Sequence, residues 1–205
     1  MTTVRNRLIL LAIGLTLGLP LSACDRSPGT HASKVTSTGE AMVGGPFQLV
    51  DQDGRPADQS LLKGKWSAVF FGYTYCPDVC PTTMQALAGA EAKLGDKAKN
   101  LQVVFVSVDP ERDTPTQLKT YLSTPAFPKG AIGLTGTPAQ VAAAAKAYRV
   151  YYQKEGQGEG YTVAHSSIVY LMNPAGKFVT ALTESQTPSE VATQIGAAMA
   201  SSAKG

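Results

Sequence analysis

With 205 residues, 43% hydrophobic composition and a formal net charge of +3, the chain suits one globular domain of ordinary size plus a tail. That charge balance gives no reason to expect a nucleic-acid partner. Three cysteines and two histidines leave few positions for soft-metal or thiol chemistry.

Arg5 and Arg7 precede an apolar run over residues 8–21. At about 14 residues this run is short of the roughly 20 that span a bilayer, so residues 1–23 read as a secretion signal. Leu21-Ser22-Ala23-Cys24 resembles the lipobox of bacterial lipoproteins, which implies that Cys24 becomes the lipidated first residue of the mature chain. Asp25 after it resembles an inner-membrane retention signal. Loss of Arg5 and Arg7 takes Lys plus Arg from 18 to 16 against 15 Asp plus Glu, leaving a nearly neutral mature chain. Outside the cytosol, an accessible cysteine pair is readily oxidised. Residues 24–45 are rich in Ser, Thr, Gly and Pro without hydrophobic period and read as a flexible tether, with His31 solvated inside it. The folded domain is then residues 46–205.

The domain opens on a short strand at residues 47–50, and Asp53-Gly54 signals a hairpin turn after it. Residues 66–71, Trp-Ser-Ala-Val-Phe-Phe, read as a buried strand. A helix follows over residues 82–94, and Cys76 and Cys80 fall in the loop between the two. Pro77 and Pro81 disfavour helical backbone at the cysteines and place Pro81 at the first helical position. A helix start favours negative charge, so a nearby thiol is acidified. The spacing permits a Cys76–Cys80 disulfide or a shared metal ion.

Residues 101–108 form a second apolar strand, parallel to the first through a right-handed crossover, which puts its carboxyl end beside the cysteine loop. Thr114, Pro115 and Gln117 spell a capping box for a helix to about Tyr121. Asp109, Glu111 and Arg112 lie outside that box and suit either a charged surface for a partner or a salt-bridged surface, and Asp78 between the cysteines suits partner contact or a solvated turn. A short strand at residues 131–134 and a second Thr-Pro-x-Gln box at Thr137 lead into a helix ending near Tyr148. Residues 150–152 extend into a strand, and the glycine-rich stretch 155–160 is a loop or hairpin tip. His165 stands at a strand start, ahead of a strand over residues 168–172. The turn Asn173-Pro174-Ala175-Gly176 closes an antiparallel hairpin, and a helix over residues 188–199 ends the domain.

This order resembles the thioredoxin fold, an α/β class, with an N-terminal hairpin extension and an inserted hairpin or loop. The stretch from Gly72 to Pro81, the segment Asp109-Pro110-Glu111-Arg112-Asp113-Thr114-Pro115, Gly133-Leu134-Thr135-Gly136, and His165 with Ser166 and Tyr170-Leu171 resemble the Sco/SenC family of copper-binding assembly factors for cytochrome c oxidase. The resemblance implies that Cys76, Cys80 and His165 are copper ligands, binding Cu(I), Cu(II) or both. It also implies a copper-accepting oxidase subunit or another copper chaperone as partner, and a place on the periplasmic side of the bacterial inner membrane. Family members commonly carry Asp before the histidine, where this chain has Ala164. Two thiolates and one imidazole suit copper on chemical grounds as well. A structural zinc ion would ordinarily take a fourth protein ligand. A thiol–disulfide oxidoreductase that keeps the target's cysteines reduced is the alternative function, with Cys76 and Cys80 as its exchanging pair. A peroxidase of the peroxiredoxin kind shares the fold but not the cysteine spacing.

Overall fold

The computed structural model describes residues 43–202. The expected signal segment 1–23, Cys24, His31 and most of the expected tether lie outside the described residues. Within the expected tether's last residues, the Gly44 N–H donates to the Ala147 carbonyl of the domain at 3.0 Å.

Strands β1 (Gln48–Asp51) and β2 (Pro56–Asp58) form the antiparallel hairpin that the Asp-Gly signal predicts. Asp51 Oδ1 accepts the N–H groups of Asp53 and Arg55, each at 2.9 Å, and Gly54 takes the left-handed conformation the turn needs, with φ of 79°.

Strand β3 (Trp66–Gly72) buries all seven of its residues, as an apolar run without polar alternation requires. Helix α1 (Val79–Leu94) carries the chain over to β4 (Leu101–Ser107), which pairs with β3 in parallel from Trp66 opposite Leu101 to Gly72 opposite Ser107. Phe70 and Phe105 meet edge to face at 5.9 Å in this centre. Each fully buried side chain of this size contributes about 1.5–3 kcal/mol.

Helix α2 (Pro115–Leu122) starts at Thr114, whose Oγ1 accepts the Gln117 N–H at 3.2 Å. Only half of the expected capping box forms, because the Gln117 side chain donates instead to Thr74 Oγ1 at 3.2 Å, in the cysteine loop. Strand β5 (Ile132–Thr135) pairs in parallel with β4 and antiparallel with β1, so the N-terminal hairpin becomes part of the main sheet. Helix α3 (Pro138–Ala147) has the complete reciprocal box between Thr137 and Gln140.

Strand β6 (Tyr152–Glu155) begins two residues later than predicted, since the Val150 N–H is taken by the Ala145 carbonyl at 2.9 Å and belongs to the end of α3. It pairs with β7 (Thr162–His165), the glycine-rich stretch forming the tip between them. His165 therefore ends a strand and does not start one: the β-branched Thr162 and Val163 before it already pair with β6. Strands β8 (Val169–Met172) and β9 (Phe178–Leu182) form the last hairpin, whose turn is closed by Asn173 Oδ1 accepting from Ala175 and Lys177 N–H, both at 3.0 Å. Helix α4 (Pro188–Ser202) packs on α1.

The main sheet runs β2-β1-β5-β4-β3-β8-β9, with β3 against β8 antiparallel, and β6-β7 is a separate two-stranded sheet. This is the α/β, thioredoxin-like arrangement expected, with β1–β2 as the extension and β6–β7 as the insert. Among the described residues no helix is long and apolar enough to cross a membrane.

Candidate metal centre

The parallel pairing of β3 and β4 ends both strands on one side, where the Val108 N–H donates to the Gly72 carbonyl at 2.8 Å. From there the cysteine loop turns away, held by a carboxylate that sequence reasoning left without a role. Asp113 is fully buried and accepts from the Thr74 N–H at 3.0 Å, Thr74 Oγ1 at 2.7 Å and Ser107 Oγ at 2.7 Å. Burial pushes its carboxyl above the ordinary carboxylate range, and the hydrogen bonds from Ser107 and Thr74 oppose that rise. The only local sign of this role is an acid placed just before a helix cap.

Cys76 is half-buried in the loop, while Cys80 is buried inside the first turn of α1. This corrects the expected boundary: the helix starts at Val79, with Asp78 as the N-cap residue, and Pro81 is its third residue. A proline there removes an N–H that has no intrahelical partner in the first turn, so it does not delay the helix. The early start turns one such unpaired donor onto sulfur, the Cys80 N–H lying 3.4 Å from Cys76 Sγ.

The two cysteines are unbonded and differ in acidity. Cys76 is pulled down to about 3, chiefly by a hydrogen bond from the Cys80 thiol, with His165 and the backbone of Asp78 and Cys80 adding to the effect against its own burial. Cys80 is pushed up by that same hydrogen bond to Cys76, by burial and by the charge on Cys76. One proton shared by two adjacent sulfurs thus leaves Cys76 as thiolate and Cys80 as thiol.

His165 arrives from β7. Its Nδ1 lies 3.0 Å from the Ser166 carbonyl oxygen, which can only accept, so Nδ1 carries a proton and Nε2 is the nitrogen turned towards the cysteines. Nε2 lies 3.4 Å from Cys80 Sγ. The ring stands edge-on to Tyr73 at 5.8 Å and to Phe70 at 6.1 Å, which limits its rotation.

The two sulfurs and one ring nitrogen all lie within 4.8 Å of one another, the one such group of three metal-ligating residues found among the described residues. Donors bonded to one ion at about 2.0–2.3 Å lie within about 4.6 Å of one another, so the spread seen here is close to that of a three-donor site. Ala164 sits opposite Gln153 in the β6–β7 pair and brings no carboxylate beside the histidine.

The acidic residues expected to face a partner divide by burial. Asp78 is exposed and accepts the Thr82 N–H at its carbonyl, 3.1 Å away. Glu111 is exposed and pairs with Lys154 at 2.7 Å. Asp109 is buried, its two oxygens bonded to Arg112 Nε and to the Tyr161 hydroxyl, so its charge is directed inward. Arg112 is largely buried with it.

A family model described as SCO1/SenC matches residues 35–200. Protein SCO1 homolog 1, mitochondrial, of Arabidopsis thaliana is 43% identical over 145 residues, which cover 70% of this chain and 43% of that protein. Protein SenC of Rhodobacter capsulatus is 36% identical over 189 residues, covering 92% of this chain and 85% of that one. The structure of Bradyrhizobium japonicum ScoI with copper bound superimposes with a TM-score of 0.68 at 43% identity, over 75% of this chain and 98% of that one. The chain therefore spans less than half the length of its plant mitochondrial relative and most of the length of its bacterial ones.

Proposed function

The chain belongs to the SCO1/SenC family, and from that premise we propose that it binds copper through Cys76, Cys80 and His165 and hands the ion to a copper-accepting subunit of cytochrome c oxidase. The observation that carries this reading is the convergence of two sulfurs and an imidazole nitrogen within 4.8 Å. Soft thiolate favours Cu(I), and imidazole suits Cu(II) as well, so the donor set fits both oxidation states. Three protein donors leave a coordination position for an incoming ligand, which is what transfer to a second protein requires. The ScoI structure holds copper, and a further solved relative is described as a member of the Sco family of cytochrome c oxidase assembly proteins. A lipid on Cys24 and a tether over residues 24–45 would hold the domain at the periplasmic face of the inner membrane.

The reading is tested in a strain lacking the gene, scored for oxidase activity with and without added copper. Rescue by copper or by the full chain, and failure of rescue by the His165→Ala chain, are expected. Rescue by a thiol reductant alone, with copper ineffective, contradicts delivery.

The asymmetry of the cysteines favours a second activity at the same pair. The Cys76 thiolate attacks a target disulfide, forming a mixed disulfide and releasing one target thiolate. Cys80 then loses its proton and attacks the Cys76 sulfur, which frees the second target thiol and leaves a Cys76–Cys80 disulfide. Two electrons pass to the target, and an external dithiol must restore the pair. His165→Ala separates the roles, because exchange does not need the imidazole and copper binding does.

A further inference from the structure

The sheet pairing leaves one ligand outside the main sheet. Cys76 and Cys80 hang from β3 and α1, in the centre of the main sheet, whereas His165 ends a hairpin that forms no ladder with that sheet. His165 is tied to the main sheet only on its C-terminal side, through β8. On the other side, side-chain contacts hold the hairpin, and Arg112 makes several of them.

Arg112 Nη1 donates to the Tyr161 carbonyl at 3.0 Å and to the Glu159 carbonyl at 3.4 Å, at the entry to β7. Its guanidinium lies 3.6 Å from the centroid of the Tyr161 ring. The same group faces the cysteine loop, 4.7 Å from the Tyr75 ring and 5.8 Å from the Tyr73 ring. Asp109 completes the arrangement from the end of β4, binding Arg112 Nε through one oxygen and the Tyr161 hydroxyl through the other, the latter at 2.6 Å. A planar guanidinium can satisfy two carbonyls, a carboxylate and ring faces together, which an ammonium cannot.

We propose that Arg112 is a positioning residue that latches the β6–β7 hairpin onto the cysteine loop and so sets His165 against Cys80. Without it the pair of thiols remains and the imidazole is no longer held at the site. The latch explains the burial of Asp109 and Arg112, which a surface for partner recognition does not. Its effect on copper rests on the copper reading above, while its effect on the hairpin does not.

The test is hydrogen exchange on the metal-free full chain, followed by copper competition titration. In Arg112→Ala, amides of Tyr152–Glu155 and Thr162–His165 are expected to exchange at least about tenfold faster, with those of β3 and β4 unchanged. Copper affinity is expected to fall about tenfold to a hundredfold, as when a group orienting a metal ligand is removed. In a His165→Ala background the same substitution is expected to change copper affinity less than about twofold, because its effect passes through the imidazole. Arg112→Lys, which keeps a charge beside Asp109 but not the planar fork, serves if the alanine variant does not fold, and should show the same hairpin-confined acceleration. Unchanged exchange in the hairpin, or acceleration spread equally over β3 and β4, overturns the latch, as does an equal copper loss with and without His165. If His165→Ala alone leaves copper affinity unaltered, it is the copper reading that fails, and the metal-free exchange still decides the latch.

Discussion

Cys80 Sγ and His165 Nε2 lie 3.4 Å apart although 85 positions separate them in the chain. Cys80 comes from the first turn of a helix behind the central strand, and His165 from a hairpin outside the main sheet, so no local sequence preference creates this contact. It turns a dithiol loop into a three-donor site.

Removing one donor should therefore cost most of the affinity. Cys76→Ser, Cys80→Ser and His165→Ala are each expected to weaken copper binding by at least about a hundredfold, more than the loss of an orienting group outside the ligand set. Anaerobic competition titration against a chelator of known affinity measures this. Equal affinity in any one variant removes that residue from the ligand set.

The acidity of Cys76 predicts an unusual reactivity profile. An ordinary thiol loses about tenfold in alkylation rate per pH unit below its pKa of about 8.5. With Cys76 pulled down to about 3, its site-resolved rate should stay flat from pH 9 to pH 5, while Cys80 should barely react. Cys76 has a folded value below its unfolded one, so its contribution to the reduced domain is present above about pH 8.5 and is lost as pH falls toward 3. A Cys76 rate that rises steeply through pH 8–9 would show that the thiolate is not preformed.

Gly72 is constrained by space at the point where β3 meets the site. A Cβ there would fall 2.7 Å from Cys80 Sγ and 3.0 Å from Phe105 Cε2. Gly72→Ala is expected to destabilise the fold by about 1–3 kcal/mol and to weaken copper binding by displacing Cys80. Thermal denaturation together with copper titration checks both parts, and wild-type values in both would show that the sulfur and ring move aside freely.

Much of this molecule was legible in the sequence. Residues 66–71 and 101–108 read as central strands because they are continuous, β-branched and aromatic. Both Thr-Pro-x-Gln segments marked helix starts, and Asn173 to Gly176 marked a turn, since these signals act within four or five residues. The three residues that converge were readable because so few soft ligands exist in the chain, and the family resemblance supplied their grouping. What stayed hidden depends on distant partners. The first turn of α1 was placed late because the preference of residues before proline is weaker than the packing that buries Cys80. Gln117 leaves its cap for Thr74, a choice set by the neighbouring loop. Asp109 and Asp113 look like surface acids in a charged segment, and only the fold shows one facing Arg112 and Tyr161 and the other facing Thr74 and Ser107.

Asp113 makes that last point testable. Its removal leaves the half-buried Thr74 N–H and hydroxyl and the buried Ser107 hydroxyl without their acceptor. Asp113→Ala is expected to cost about 2–4 kcal/mol of stability, from leaving one buried and two half-buried donors unpaired. Urea denaturation gives the number. A loss under about 0.5 kcal/mol, the range of ordinary surface substitutions, would mean that the carboxylate does not hold the loop.

The central claim is that one copper ion is held by two sulfurs and one imidazole nitrogen of this chain. X-ray absorption of the purified protein loaded with one equivalent of copper tests it most directly. Two sulfur scatterers from Cys76 and Cys80 are expected, with an imidazole pattern that disappears in His165→Ala. A spectrum with sulfur alone, identical in the wild-type and His165→Ala proteins, would contradict it.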